Sequence, residues 1–94
     1  MDAECLKYLR KHYLKLYDNL VLEKKLKRKS ALISLLNIKS NAAYDLLTRS
    51  SIVSRDIPKP SLTRLLSKGY IRETDTSGFT TITCKGVWEI ESNE

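Results

Sequence analysis

The segment from Pro58 to Gly69, PKPSLTRLLSKG, constrains the fold of this chain more than any other feature of its sequence. Pro60 suits the first position of a helix, and it keeps Lys59 out of the α region, so a helix is predicted to begin there. Gly69 is the residue type that ends a helix in the left-handed conformation. The segment therefore predicts one short helix, residues 60–68, with defined ends.

The two faces of this short helix differ in chemistry. Leucines at spacings of three and four form its inner face, namely Leu62, Leu65 and Leu66. Ser61, Arg64 and Lys68 fall on the opposite face, flanked by Thr63 and Ser67. Hydroxyl, guanidinium and ammonium groups hydrogen-bond phosphates and base edges, so this outer face is a candidate nucleic-acid contact.

The chain after the short helix predicts a β-hairpin. Residues 70–74 and 79–83 have the pattern of strands, and residues 75–78 form a turn cluster that ends in glycine. Residues 84–90 fit either a short helix capped by Thr83 or a further strand, because Trp88 and Ile90 alternate with glutamates. We expect Trp88 to fill the core against the sheet and residues 91–94 to fray.

Three helices are predicted before the short one. Residues 3–20 have an amphipathic pattern, and a second helix lies within residues 20–37, where Ser30 could cap a fresh helix after a break near 28–30. A third helix starts at Ser40 as N-cap and runs to about Arg49. Residues 51–57 fit a short strand or a turn of helix.

The apolar stripe of the first helix is long for the small core that 94 residues can bury. We therefore expect it to pair with its copy in a homodimer, through Leu6, Leu9, Tyr13, Leu16 and Leu20. On another face Lys7, Lys11 and Lys15 recur every four residues, which indicates either a solvated face or a stripe that faces phosphates.

The charge of the chain is unevenly placed. The net charge is +6, with +5 over residues 1–30, +4 over residues 31–70 and −3 over residues 71–94. This asymmetry favours a polyanionic partner on one side of the molecule, although many small proteins carry such a charge for solubility alone.

Several function classes find no support in the residues. His12 is the only histidine, expected to be exposed or at the core edge, and the cysteines, Cys5 and Cys84, lie far apart. We therefore expect free thiols and no metal site, catalytic residue, cofactor or small-molecule ligand. No apolar run is long enough for a membrane span and no secretory signal is visible, so we expect a cytoplasmic protein, nucleoid-associated or, in a eukaryote, nuclear.

The string LTRLLSKGYIRE, Leu62–Glu73, followed by FTTITCKG, Phe79–Gly86, resembles the winged helix-turn-helix regulators of the MarR and PadR type. The resemblance covers about residues 40–90, and Thr83, Lys85 and Gly86 stand where that family often has a Thr-x-Lys-Gly element. It implies a mainly helical α+β fold in a single domain of residues 1–94, with residues 40–49 as scaffold helix, residues 60–68 as recognition helix and residues 70–83 as wing.

The resemblance also implies residue roles on double-stranded DNA. Ser61, Thr63, Arg64 and Lys68 would be contact positions in the major groove, with Arg64 on guanine and Lys68 on phosphate. Arg72 would reach phosphate or the minor groove from the wing, and Arg55 and Lys59 would contact the backbone.

Three departures separate this sequence from the family pattern. The recognition helix is short, residues 50–59 are longer than a tight turn, and the wing contains Glu73 and Asp75, which repel phosphate. A DNA-binding transcription regulator acting as a homodimer is the first hypothesis from the sequence. The alternatives are a winged-helix module that docks a protein and a non-specific nucleoid or chromatin protein.

Overall fold

The computed structural model describes residues 1–93, which form five α-helices and one three-stranded antiparallel sheet. The elements in chain order are α1 (Ala3–Leu22), α2 (Ala31–Leu36), α3 (Ser40–Arg49), β1 (Ile52–Val53), a 3-10 turn (Ser54–Asp56), α4 (Lys59–Ser67), β2 (Ile71–Glu73), β3 (Phe79–Ile82) and α5 (Cys84–Ser92). The predicted class, a mainly helical α+β domain, is confirmed.

Helix α1 forms the centre of the core. Leu9, Leu16 and Leu20 have no exposed surface, and α2, α3, α4, α5 and β3 all pack against this helix. Its start is set by Asp2, whose side chain accepts a hydrogen bond from the backbone N–H of Cys5 at 2.8 Å. An aspartate before an apolar-periodic run is an ordinary N-cap signal, which the sequence interpretation missed.

The expected dimer surface is wrong for four of its five residues. Leu9, Tyr13, Leu16 and Leu20 are buried in the core of the single chain, and Leu6 is half-buried against that core. The helix is covered by elements that come later in its own chain, so these side chains offer no surface to a second copy. The large apolar residues of α1 that are exposed are instead Leu14, Val21 and Leu22.

The second helix is much shorter than predicted. Residues 23–30 form a basic loop, and the helix begins only after Ser30, whose side chain accepts a hydrogen bond from the backbone N–H of Ile33. A tight turn precedes it, in which Arg28 and Lys29 have φ angles of 53° and 60°. Left-handed backbone at two basic residues leaves no trace in hydrophobic periodicity, so the pattern could not show where this helix starts.

The region between α3 and α4 contains both structures that the sequence left open. Ile52–Val53 is a strand, and Ser54–Asp56 is a 3-10 turn. Ser40 is the first residue of α3 rather than its cap, since Lys39 occupies the N-cap position and makes no side-chain hydrogen bond.

The predicted hairpin is present, and it lies in a sheet of order β1-β3-β2. Ile71 pairs with Ile82 in the hairpin, and β1 adds to the other edge of β3, where Ile52 pairs with Thr80. Helix α4 packs mainly on α1 and on β2. The strand between α3 and α4 therefore separates the two helices that the resemblance would place in one helix-turn-helix unit.

The C-terminal segment is a helix, and Thr83 caps it by accepting a hydrogen bond from the backbone N–H of Gly86 at 3.1 Å. It continues to Ser92 rather than fraying from residue 91, and Glu94 lies outside the described residues. Trp88 is 57% exposed, so the prediction that it fills the core is wrong. Val87 and Ile90 are the residues that face inward from this helix.

His12 is completely buried, which corrects the expectation of an exposed or core-edge position. Its Nδ1 lies 2.8 Å from the carbonyl oxygen of Tyr8, and its Nε2 lies 3.0 Å from the hydroxyl of Thr80. A carbonyl can only accept, so Nδ1 carries the proton and Nε2 accepts from the hydroxyl. Burial lowers the pKa of His12 from its usual 6.5, the Tyr8 carbonyl opposes this, and Lys11 lowers the pKa further.

The buried histidine makes stability depend on pH. Because the pKa of His12 is lowered in the folded state, the unfolded chain takes up a proton first as the pH falls. The free energy of unfolding therefore has its full value above about pH 6.5 and declines below it. We expect the free energy of unfolding to fall by at most about 1.4 kcal/mol per pH unit between pH 6.5 and 5. Denaturant titrations should show this decline in the parent protein and a flatter profile in His12→Gln. Parallel profiles for the two proteins would contradict the assignment.

Gly86 lies where α5 crosses the start of β2. A Cβ at this position would lie 2.2 Å from the carbonyl oxygen of Tyr70 and 2.7 Å from Cγ1 of Ile82. Both neighbours are held in place, since the Tyr70 carbonyl accepts hydrogen bonds from Thr83 and Ile82 is fully buried. The glycine therefore allows the close approach of helix and strand.

We expect Gly86→Ala to lower the free energy of unfolding by about 3 kcal/mol or more, because neither backbone nor core can move aside. Gly78→Ala is the matched control. A Cβ at position 78 would have no neighbouring atom within 4 Å. The only expected cost is the backbone strain of an alanine at a φ of 87°, about 1–2 kcal/mol. Equal denaturation midpoints for the two variants would show that the contact at residue 86 is relieved.

Candidate nucleic-acid interface

Helix α4 exposes a polar face. Pro60 lies in its first turn, and Gly69, at φ 75°, follows its C-cap Lys68. Ser61 and Leu65 are buried, so at 100° per residue the middle of the exposed face consists of Thr63 and Ser67. Exposed cationic side chains flank that middle and follow it, namely Lys59, Arg64 and Lys68.

The predicted contact role of Ser61 is wrong. Ser61 is only 5% exposed and lies at the junction of α4 with α1, next to the thiol of Cys5. Cys5 is itself buried, and burial raises the pKa of its thiol, which the hydroxyl group of the neighbouring Ser61 lowers in part. Two small polar side chains thus join the helices, because larger groups at either position would separate them.

Arg64 is already engaged by a carboxylate. Its Nη1 forms a salt bridge and hydrogen bond with Oδ2 of Asp2. The hydrogen bond from the Cys5 backbone N–H lowers the pKa of Asp2 most, and Cys5 Sγ and Arg64 lower it further, so the carboxylate stays charged at neutral pH. Glu4 lines the same crevice, which also includes Pro58 and Pro60.

The Asp2 pair restrains Arg64 without burying it, since 64% of the side chain remains accessible. Exposed ion pairs are weak, so a phosphate or a guanine can compete for the guanidinium. In the structure the Arg64 guanidinium is therefore paired with an internal carboxylate and at the same time accessible from outside.

Arg72 does not extend from the hairpin as a wing contact would. Its guanidinium carbon lies 4.9 Å from the ring centroid of Tyr44, and its Nη1 donates to the carbonyl oxygen of Glu73 at 3.3 Å. The side chain is half-buried against α3, and Tyr44 in turn donates a hydrogen bond to Asp75. Arg72 was expected to reach phosphate or the minor groove from the wing, whereas the structure places its guanidinium against Tyr44 of α3.

Arg55 lies next to the tip of the hairpin. It lines a shallow groove with Val53, Phe79 and the turn residues Ser77 and Gly78. Arg55 and Lys59 are both exposed, one in the 3-10 turn and the other at the start of α4. The two residues predicted to contact the DNA backbone are therefore placed on the surface as expected.

Two further cationic side chains lie near Arg55 and the hairpin, and the sequence interpretation did not assign them to the same surface. Lys11 and Lys15 of α1 line a groove with Ile52, Val53, Asp56 and Phe79. Phe79 and Val53 thus separate two grooves, with Arg55 in one and the lysines in the other. The recurrence of lysines at every fourth position was the available signal, but only the fold brings them beside the sheet.

Residues 1–93 contain no group of three or more His, Cys, Asp or Glu side chains that could hold a metal ion. Over the same range, no helix has both the length and the apolar character needed to cross a membrane. Comparison with protein-family models, curated proteins and solved structures returned no match to this chain.

Proposed function

We propose that the protein is a transcription regulator that binds double-stranded DNA through the exposed face of α4, in the manner of a winged helix-turn-helix domain. The observation that supports this most is the position of Thr63, Arg64 and Lys68 on an exposed helix next to a hairpin. A helix of this kind fits the major groove, where guanidinium and hydroxyl groups distinguish base edges.

The cations around α4 have different roles in this proposal. Arg64 leaves Asp2 and contacts guanine, while Lys59 and Lys68 contact phosphates on either side. Arg55, beside the hairpin tip, contacts phosphates of the DNA backbone, and Lys11 and Lys15 contact further phosphates from α1. Arg72 has no DNA role, because its guanidinium is stacked on Tyr44.

The homodimer remains part of the proposal with a different interface. Four of the five residues first assigned to it are buried and Leu6 is half-buried, but Leu14 and Val21 are about half exposed and lie seven residues apart on α1. That spacing places them on one line along the outer face. Two-fold related copies would then read two half-sites of a palindrome.

Arg64→Ala should weaken binding to the preferred duplex by about 1–3 kcal/mol and relax the base preference at one position. Lys68→Ala should weaken binding to duplexes of every sequence alike. It should also reduce the slope of the logarithm of affinity against the logarithm of salt concentration by about 1. Arg49→Ala is the matched control, because it removes the same charge at an arginine that is paired with Glu23 at 2.8 Å. Selection from a random duplex pool supplies the sequence, and titration at two salt concentrations supplies the affinities. Equal binding by Arg64→Ala and the parent protein would overturn the assignment of α4.

Asp2→Asn should bind the selected duplex more tightly than the parent protein, by about two- to fivefold, which corresponds to the value of an exposed ion pair. Asparagine caps a helix as well as aspartate does, so α1 keeps its start while Arg64 loses its carboxylate partner. Melting temperatures of the two proteins provide the check that α1 is intact. A lower affinity in Asp2→Asn would mean that Asp2 positions Arg64 for DNA rather than competing for it.

A protein-docking module is the second candidate, and one observation favours it. Leu22, Leu36 and Trp88 are each more than half exposed, and exposed large apolar side chains mark a contact site where they form one contiguous patch. Absence of duplex binding at about 50 mM salt would favour this function over DNA binding.

A further inference from the structure

A groove of about 320 Å³ lies between α2, α3, β2 and the first residue of α5. Its walls are mainly apolar and come from α2, the loop after it and α3, through Leu35, Leu36, Ile38, Ala43 and Leu47. This volume is at the lower end of the range of small-molecule sites. The groove is separate from the exposed face of α4 and from the two grooves beside Phe79.

Arg72 lines this apolar groove, and its guanidinium is incompletely paired. Nη1 donates to the carbonyl of Glu73, but Nη2 is buried and has no hydrogen-bond partner among residues 1–93. A buried charged donor without an acceptor is costly, and native proteins rarely leave one. An acceptor brought by a ligand would relieve that cost.

The arginine is held in place before any ligand arrives. Its guanidinium lies over the Tyr44 ring, and the Tyr44 hydroxyl donates to Asp75 at 3.1 Å. The Asp75 carboxylate accepts that hydrogen bond, and among the described residues it forms no ion pair with Arg72. A planar group fixed on an aromatic ring loses little freedom when it binds an anion.

We propose that this groove binds a small amphipathic carboxylate, a molecule with one carboxylate group and an apolar tail. The carboxylate pairs with Arg72, and the tail lies against Leu35, Ile38 and Leu47. Among the described lining residues Arg72 alone carries a charge, which matches a monoanion. A phosphate dianion would require further donors, and a cation would face a guanidinium without compensation.

Cys84 provides a direct reporter of occupancy. Its thiol is exposed and lines the groove, whereas the only other cysteine of the chain, Cys5, is buried in the core. A ligand in the groove should therefore slow modification of Cys84 by a neutral reagent such as N-ethylmaleimide.

The experiment compares octanoate with octanol as probes on the full chain, following modification of Cys84 by mass spectrometry. We expect octanoate at about ten times its dissociation constant to slow the reaction about tenfold, and to raise the melting temperature, because it binds only the folded state. Octanol has the same tail without the charge and should protect far less.

Variants separate the arginine from general effects on folding. Arg72→Gln should remove protection by octanoate, and Arg72→Lys should retain part of it. Leu36→Asp should weaken the binding of octanoate at least about fivefold, because the new carboxylate repels that of the ligand. Repulsion between two charges near a protein surface is large enough for this effect. It should leave the fold intact, because Leu36 is 71% exposed. Leu22→Asp, at a residue 77% exposed on α1, is the matched control and should bind octanoate as the parent protein does.

Three results would overturn the proposal. They are equal protection by octanol and octanoate, full protection in a folded Arg72→Gln variant, or no protection by octanoate up to its solubility limit. None of these measurements uses DNA, so the ligand site and the proposed DNA-binding function succeed or fail separately.

Discussion

The buried face of α1 is the constraint on which the rest of the structure depends. A helix of 20 residues is about 30 Å long, which is close to the largest dimension of the molecule, 34 Å. The apolar stripe from Cys5 to Leu20 must be covered along that length. Five later elements cover it, since burial of this stripe supplies the main favourable free energy available to a small chain.

Polar contacts then fix how those elements lie on the helix. The His12 imidazole joins α1 to Thr80 in the central strand, and Tyr13 donates a hydrogen bond to Glu91 of α5 at 2.6 Å. The same carboxylate accepts from the Ser30 hydroxyl and from the backbone N–H of Ala31. A helix of six residues such as α2 is not stable alone, so the Glu91 carboxylate at its N-terminus, together with packing, holds it in place.

The surface charge is less available than the net charge of +6 suggests. Arg64 is paired with Asp2, Arg49 with Glu23, and Arg72 is stacked on Tyr44. Lys11, Lys15, Arg55, Lys59 and Lys68 remain exposed. The function proposed for α4 thus depends on an exchange of ion-pair partners at Arg64, whereas the ligand proposed for the α2–α3 groove depends on the incomplete pairing of Arg72.

The sequence by itself determined the elements whose signals are local. Pro60 and Gly69 act within one turn of chain, so the ends of α4 and the hairpin after it could be predicted. Ser30 and Thr83 are local signals too, but the sequence left open whether a helix begins after each of them. Only the tertiary structure decided which surfaces these elements share. Periodicity marked the α1 stripe as apolar, but it could not tell a core from a dimer interface, because both bury the same side chains. In the same way, the pattern placed Ser61 and Arg72 on polar faces. Their actual partners, Cys5 and Tyr44, lie far away in sequence and meet them only when the helices pack.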